Sequence, residues 1–376
     1  MKQNPFKYGE LSTGENFCNR LPEQKRLHAA FRDGQSIVLI SPRRWGKSSL
    51  VNQALHTYKG RVIAIKIDCF GIKSSEEFYV VFLKAVLLAT SSKVQQVADS
   101  VKQFVRTWIP YIKYAVGEGE EIRISLDVPS SKVGVDEILD LAQKIAHQRK
   151  VRIVCCIDEF QKVSEWAGGA SLLEKLRSHW QKHKEVSYCL YGSKRHLMAS
   201  MFADSSQPFY RFGETLFLEK IGKDEWVRFL TSEFQRTGKS IEPAVAMDLV
   251  ERVQSHSYFV QYLGRICWNN TPRKVTAQIL QASYEEFMND HVALFQQICK
   301  GMTLYQVNYL RAVVAGESQF TSQRVLTGYG IGSQGNVKRI MDTLQDSEVL
   351  DFATGGPVFC DPFFQPLFQK YFVENR

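Results

Sequence analysis

No apolar run in this 376-residue chain approaches the roughly 18–20 residues that a membrane-spanning helix needs. The best stretch, Val80–Ala89, is interrupted by Lys84. The opening residues, MKQNPFKYGE, lack the apolar core of a secretory leader, so a cytoplasmic protein with no membrane partner is expected. Among eight cysteines there is no C-x-x-C pair and no Cys/His set with zinc-finger spacing, and an intracellular chain is not expected to carry a disulfide framework. Cys155, Cys156 and Cys189 lie in apolar runs and read as small core residues. His179 and His183 are four apart on an expected helix and could share a metal, but no third ligand lies near them in sequence. Low-complexity segments and internal repeats are also missing. What is present is a globular mixture, 44% apolar, 12% aromatic and 23% charged. Such a mixture builds a sizeable core and excludes disorder, collagen and coiled coil as the main state. The length suggests about two or three domains.

Net charge is +9 and unevenly placed: residues 1–60 carry +6, residues 150–200 carry +4, and the last 76 residues carry −1. Two basic blocks attract polyanions, either nucleotides or nucleic acid, although solvated surface lysine has the same composition.

The first two-thirds of the chain alternate strand and helix. Ser36–Ile40, Val62–Asp68, Val151–Asp158, Val186–Tyr191 and Thr215–Leu218 read as strands, most of them as continuous apolar runs. Helices are expected over Gly46–Tyr58, Glu76–Thr90, Val94–Trp108, Val135–Gln148 and Leu172–His183. Glu121–Val128 reads as an edge strand or a hairpin arm. This alternation predicts an α/β fold with a parallel sheet. From Lys223 the pattern becomes helical, over Lys223–Arg236, Glu242–Arg252, Tyr258–Trp268 and Thr276–Cys299. Residues 301–376 read as helix, helix, helix, hairpin, which is a winged-helix pattern. Ser333 is placed to cap its third helix, Gln334–Asp346, and Leu304, Val307, Leu310, Leu344, Val349 and Leu350 are its expected core. The predicted division is an α/β domain over 1–218, a helical domain over 219–300 and a winged helix over 301–376.

The decisive segment is Ser41-Pro42-Arg43-Arg44-Trp45-Gly46-Lys47-Ser48-Ser49, between a buried strand and a helix. That context is what a G-x-x-x-x-G-K-[ST] phosphate loop requires, with Ser41 in place of the first Gly. Gly46 lets the backbone turn around an anion, and the loop N–H groups and helix N-terminus attract phosphate. Lys47 is expected to reach the β- and γ-phosphates of ATP and Ser48 to hold Mg²⁺. A second signal is the apolar strand ending in Asp158 and Glu159. Asp158 is the expected partner of Mg²⁺, and Glu159 the general base toward water. A third strand ends in Gly192-Ser193, where Ser193 would sense the γ-phosphate. Arg195 and Arg211 flank core strands, and at least one is expected to neutralise transition-state charge, in cis or across a subunit contact.

With these residues in place, the chain resembles the archaeal-type ATPases, which belong to the STAND group of signal-transduction P-loop ATPases and are similar to AAA+ proteins. Asn4-Pro5-Phe6, Tyr8-Gly9, Phe17, Arg20 and Glu23 resemble that family's adenine-proximal lead-in, and Pro42-Arg43-Arg44 its usual loop. Asp158, Glu159, Gly192-Ser193 and Phe209–Gly213 match its later core motifs. His256-Ser257-Tyr258-Phe259-Val260-Gln261 resembles an H-P-Y-Y-x-Q lid segment, with Ser257 in place of the proline. Asp361-Pro362-Phe363-Phe364 resembles the close of its winged helix. The resemblance implies an ASCE, AAA+-like P-loop NTPase core, with lid and winged helix closing over ATP and Mg²⁺.

Two functions follow. One is an ATP-hydrolysing molecular switch, cycling between ATP and ADP and acting through an unidentified protein partner or self-association. STAND proteins usually add a repeat sensor or effector domain. None is read here, so sensing is expected from a partner, from self-association or from an insertion at residues 91–130. The other is a DNA-handling AAA+-like ATPase of the replication or transposition type, reading DNA through Gln334–Asp346 with Lys338 and Arg339. The winged helix is close to neutral, with Asp342, Asp346, Glu348 and Asp351 nearby, so DNA binding is expected to be weak and the switch is preferred.

Overall fold

The computed structural model describes residues 3–90, 112–116, 122–126, 134–353 and 355–374. The helix expected over Val94–Trp108 lies outside them. The chain forms two compact units, one of residues 20–43 and 47–219, the other of residues 1–19, 44–46 and 220–376.

The first unit is built on strands β1 (Ile37–Ile40), β2 (Val62–Asp68), β5 (Arg152–Asp158), β6 (Val186–Gly192) and β7 (Glu214–Phe217). Strands β3 (Ile112–Val116) and β4 (Ile122–Leu126) pair antiparallel with each other in a separate sheet, so of the two expectations for 121–128 the hairpin arm holds and the edge strand of the main sheet does not. The five-stranded sheet is parallel, in the order β2-β5-β6-β1-β7. Every residue of β1 and β6 is buried because helices cover both faces, which is why β1 reads as an unbroken apolar run and β6 as one interrupted only by Ser187 before its end at Gly192. At the edge, β2 alternates, with Lys66 and Asp68 exposed. Cys155, Cys156 and Cys189 are fully buried and free.

Helices Leu21–Asp33, Lys47–Thr57, Ser75–Thr90, Val135–Arg149, Gly169–Trp180 and Arg195–Ala203 flank the sheet. Like the last of these, the first has no counterpart in the sequence reading. It has Pro22 in its first turn, buries Leu27, Ala30 and Phe31, and ends at Gly34 with φ +71°, a left-handed stop that glycine adopts without strain. Helix Gly169–Trp180 delivers Trp180 onto Tyr188 of β6, ring centroids 4.1 Å apart and nearly parallel.

His179 and His183 share a carboxylate. Asp140 Oδ1 accepts from His179 Nδ1 at 2.8 Å and from His183 Nε2 at 3.0 Å. His183 Nδ1 accepts from the Tyr188 hydroxyl at 2.7 Å, which fits the neutral ring that burial favours by pushing its pKa down. Among the described residues no group of three or more His, Cys, Asp or Glu side chains is arranged to hold a metal ion.

The second unit is helical: Lys223–Arg236, Pro243–Arg252, Ser257–Asn270, Ala277–Lys300, Leu304–Val314, Gln323–Tyr329 and Gln334–Asp346. The antiparallel pair Leu350–Asp351 and Val358–Phe359 follows. One hydrophobic core runs through all of it. Phe259 meets Phe363 with centroids 5.7 Å apart, and Phe295 meets Phe364 at 5.1 Å. The first residues of the chain belong to this core too, Phe6 lying fully buried 5.2 Å from the Phe234 ring.

Thr303 caps Leu304–Val314 through a capping box with Gln306. Ser333 occupies the N-cap of Gln334–Asp346 but makes no side-chain cap hydrogen bond. Val307, Leu310, Leu344, Val349 and Leu350 are buried, whereas Leu304 is 69% exposed, in the first turn and outside the covered stretch of its helix. No described helix is long and apolar enough to cross a membrane.

Candidate functional site

The parallel register brings four strand ends to one edge of the first unit. Ile40 pairs with Gly192, Ile157 with Leu190, and Asp68 with Asp158. The strand that carries Ser193 therefore lies between those that lead into the phosphate loop and into the Asp158-Glu159 pair. Ligands of open α/β sheets bind at such carboxyl-terminal strand edges.

The loop leaves β1 at Ser41, which is fully buried and donates its hydroxyl to Pro42 O at 3.1 Å. Ser41 is not in the left-handed region, so the position needs no glycine. The left-handed residues are Arg44, φ +60°, and Gly46, φ +91°. A Cβ added at Gly46 would meet nothing within 4 Å, so the backbone there borders open space. Helix Lys47–Thr57 starts directly after it, leaving its first N–H groups without helical partners.

Lys47 is 6% exposed, and its Nζ donates to Ser41 O at 3.0 Å and Pro42 O at 2.9 Å. Ser48 Oγ donates to Asp158 Oδ2 at 2.6 Å, joining the two motifs. Burial, and secondarily the neighbouring Glu159 charge, pushes the Asp158 carboxyl up to about 6 against the pull of the Ser48 hydrogen bond. A hydroxyl and a carboxylate side by side are the hard oxygen donors that Mg²⁺ takes, so this pair fits that ion.

Glu159 has left-handed backbone, φ +50°, and its Oε2 accepts from Ser193 Oγ at 2.9 Å. Arg43 Nε donates to the same Ser193 hydroxyl at 3.4 Å. Lys47, Ser48, Asp158, Glu159, Ser193 and Arg43 thus form one connected group. Ser49 lies half-buried in the first turn of the helix.

The other expected residues are placed differently. Arg44, Trp45 and Gly46 group with the helical unit. There the Arg44 guanidinium lies 4.8 Å from the Tyr258 ring centroid, and Trp45 O accepts from Ser257 Oγ at 3.4 Å. Phe17 is half-buried after the turn Gly14–Asn16 of that unit. Arg20, in the sheet unit, is buried and left-handed, and pairs with Glu23 at 2.9 Å.

Arg195 opens the helix that follows β6, on the edge that carries Ser193. Arg211 does not share that edge. Strand β7 runs parallel to β1 with Glu214 beside Ile37, so the residues that enter β7 lie at the opposite end of the sheet. Arg211 is exposed there, stacked over Tyr210 at 5.0 Å, and an in-cis role at the loop is withdrawn. Sequence reasoning had no register for β7 and so no direction for its flanks. It also missed Gln161, whose only sequence signal is its place two residues beyond Glu159.

A parallel sheet with a strand–loop–helix unit and an acidic neighbouring strand end is the P-loop NTPase fold. Within it, residues 31–198 match a family model described as an AAA domain. Among solved structures the chain is similar to the Walker-type ATPase of Pyrococcus abyssi. The TM-score is 0.67 at 16% identity, covering 97% of this chain and 99% of that one. It is also similar to the Aeropyrum pernix ORC2 protein, solved in ADPNP and ADP complexes, with TM-score 0.60 at 13% identity, covering 98% and 96%. At these identities the likeness speaks for the fold. No curated protein sequence matches the chain.

Proposed function

We propose that the chain binds ATP with Mg²⁺, hydrolyses it, and works as a nucleotide-dependent switch. The observation that carries this reading is the 2.6 Å hydrogen bond between Ser48 and Asp158, with Glu159 beside it on Ser193. Ser48 and Asp158 would hold Mg²⁺, which when bound supplies positive charge to the phosphate oxygens. Lys47 and the loop N–H groups hold the polyphosphate, and Glu159 takes a proton from the attacking water. The nucleotide complexes of the Aeropyrum pernix protein agree with this reading.

We read 219–300 as a lid and 301–376 as a winged helix, whose packing would report the nucleotide. Arg195 is the residue we assign to transition-state charge. Arg195→Ala should lower turnover by about 10²-fold, while Arg211→Ala should leave turnover of the isolated chain unchanged. Phosphate-release assays over a range of protein concentrations check both; full activity in Arg195→Ala removes the assignment.

Output through a protein partner is favoured over DNA by charge. On Gln334–Asp346, the exposed Lys338 is followed on one face by exposed Asp342 and Asp346. The full chain should therefore bind duplex weakly, with strong salt dependence and no sequence preference. Fluorescence anisotropy at low and physiological salt measures this. Sequence-selective binding at physiological salt, lost in a Lys338→Ala, Arg339→Ala double variant, would make the DNA-handling ATPase the better reading.

A further inference from the structure

Gln161 has no role in the chemistry so far, yet its side chain is completely buried against Glu159. It lies in the short helical turn Phe160–Glu165, and the left-handed backbone at Glu159 swings the chain back so that position 161 faces its own neighbour. Gln161 Nε2 donates to Glu159 Oε2, the oxygen that also accepts from Ser193 Oγ. A carboxylate only accepts, so it fixes which end of the amide points at it. Glu159 Oε1 receives no hydrogen bond from a described residue.

The other end of the amide is the informative one. Gln161 Oε1 is buried with no hydrogen-bond partner among the described residues. Burying a carbonyl that way opposes folding, and an apolar side chain of the same size would cost less. Stability therefore does not explain glutamine here; its donor end does. A second element makes room for it. A Cβ at Gly192 would lie 1.8 Å from Gln161 Oε1 and 2.9 Å from its Cδ. The end of β6 thus supplies two adjacent features, space at 192 for the amide and a second donor at 193 for the same carboxylate oxygen.

We propose that Gln161 is a positioning residue for Glu159. With Ser193 it anchors Oε2 and leaves Oε1 as the atom that receives the proton of water. As that proton moves, the water oxygen bonds to the γ-phosphorus, and the bond from phosphorus to the β–γ bridging oxygen breaks, leaving ADP. The proposal rests on the ATPase reading, and its test separates the two.

Wild type, Lys47→Ala and Glu159→Gln are the controls, measured beside Gln161→Met, which keeps the volume and removes the amide. Gln161→Met should unfold at a temperature no lower than wild type and bind ATP with unchanged affinity. Its kcat should fall by about 10–100-fold, with KM changed by less than about twofold. Gly192→Ala should reproduce the kcat loss by displacing the amide, and combining it with Gln161→Met should add little. In the Glu159→Gln background, Gln161→Met should leave the residual rate unchanged, because it acts only through that carboxylate. With the controls behaving, an unchanged or raised kcat in Gln161→Met overturns the positioning role. So does an undiminished further loss in the Glu159→Gln background. Absence of Lys47-dependent turnover in wild type overturns the ATPase reading, and this proposal with it.

Discussion

Replacing Lys47 with alanine is expected to abolish measurable ATP binding. The ammonium is buried in the loop, its Nζ held by the carbonyls of Ser41 and Pro42. A cation held there in advance gives up little hydration when a polyphosphate arrives, so its attraction is not offset as it would be at an open surface. Removing one partner of a buried charge pair costs about 2–5 kcal/mol, which is roughly 30- to 3,000-fold in affinity. Isothermal titration with Mg-ATP measures the loss, and unchanged affinity would overturn the phosphate-loop assignment. The alanine variant should keep its thermal transition near that of wild type, since the sheet beneath the loop does not depend on the ammonium.

Glu159→Gln should separate binding from chemistry. The carboxamide oxygen of the variant can still accept from Ser193 and Gln161, so the site keeps its shape and Asp158 keeps Ser48. What disappears is the capacity to take a proton. ATP and Mg²⁺ should bind as in wild type while phosphate release falls by about 10²–10⁴-fold. A variant that releases phosphate at the wild-type rate would show that Glu159 is not the base. Asp158→Asn should differ, because it weakens the oxygen donor pair with Ser48 and so raises the Mg²⁺ concentration needed for turnover.

The central strands were legible in the sequence because burial on both faces removes the alternation that edge strands keep: Ile37–Ile40 and Arg152–Asp158 could be little else. The phosphate loop was legible because its context, strand before and helix after, is a local property. Long-range pairing was not. Nothing in Glu214–Phe217 says which neighbour it takes or which end of the sheet its flanks reach, and so Arg211 was expected at the wrong edge. The pairing of 112–116 with 122–126 was not read as such, although Ile112, Tyr114 and Val116 alternate and Gly117 and Gly119 lie between the two segments. Gln161 was invisible for a different reason. Its importance lies in a left-handed turn at Glu159 and a missing Cβ at Gly192, neither of which a residue type announces. Helix Leu21–Asp33 was overlooked although Pro22 and Gly34 bracket it with ordinary start and stop chemistry.

The grouping of residues 1–19 with 220–376 has a consequence for how the chain is made. Translation produces Phe6 well before the helix Lys223–Arg236, whose Phe229 and Phe234 rings pack against it. Between them the ribosome must synthesise the whole of the sheet unit, which is continuous apart from the three loop residues 44–46 and can pack without waiting. Phe6 is therefore covered late, together with the helices of its own unit, while the α/β sheet can already pack.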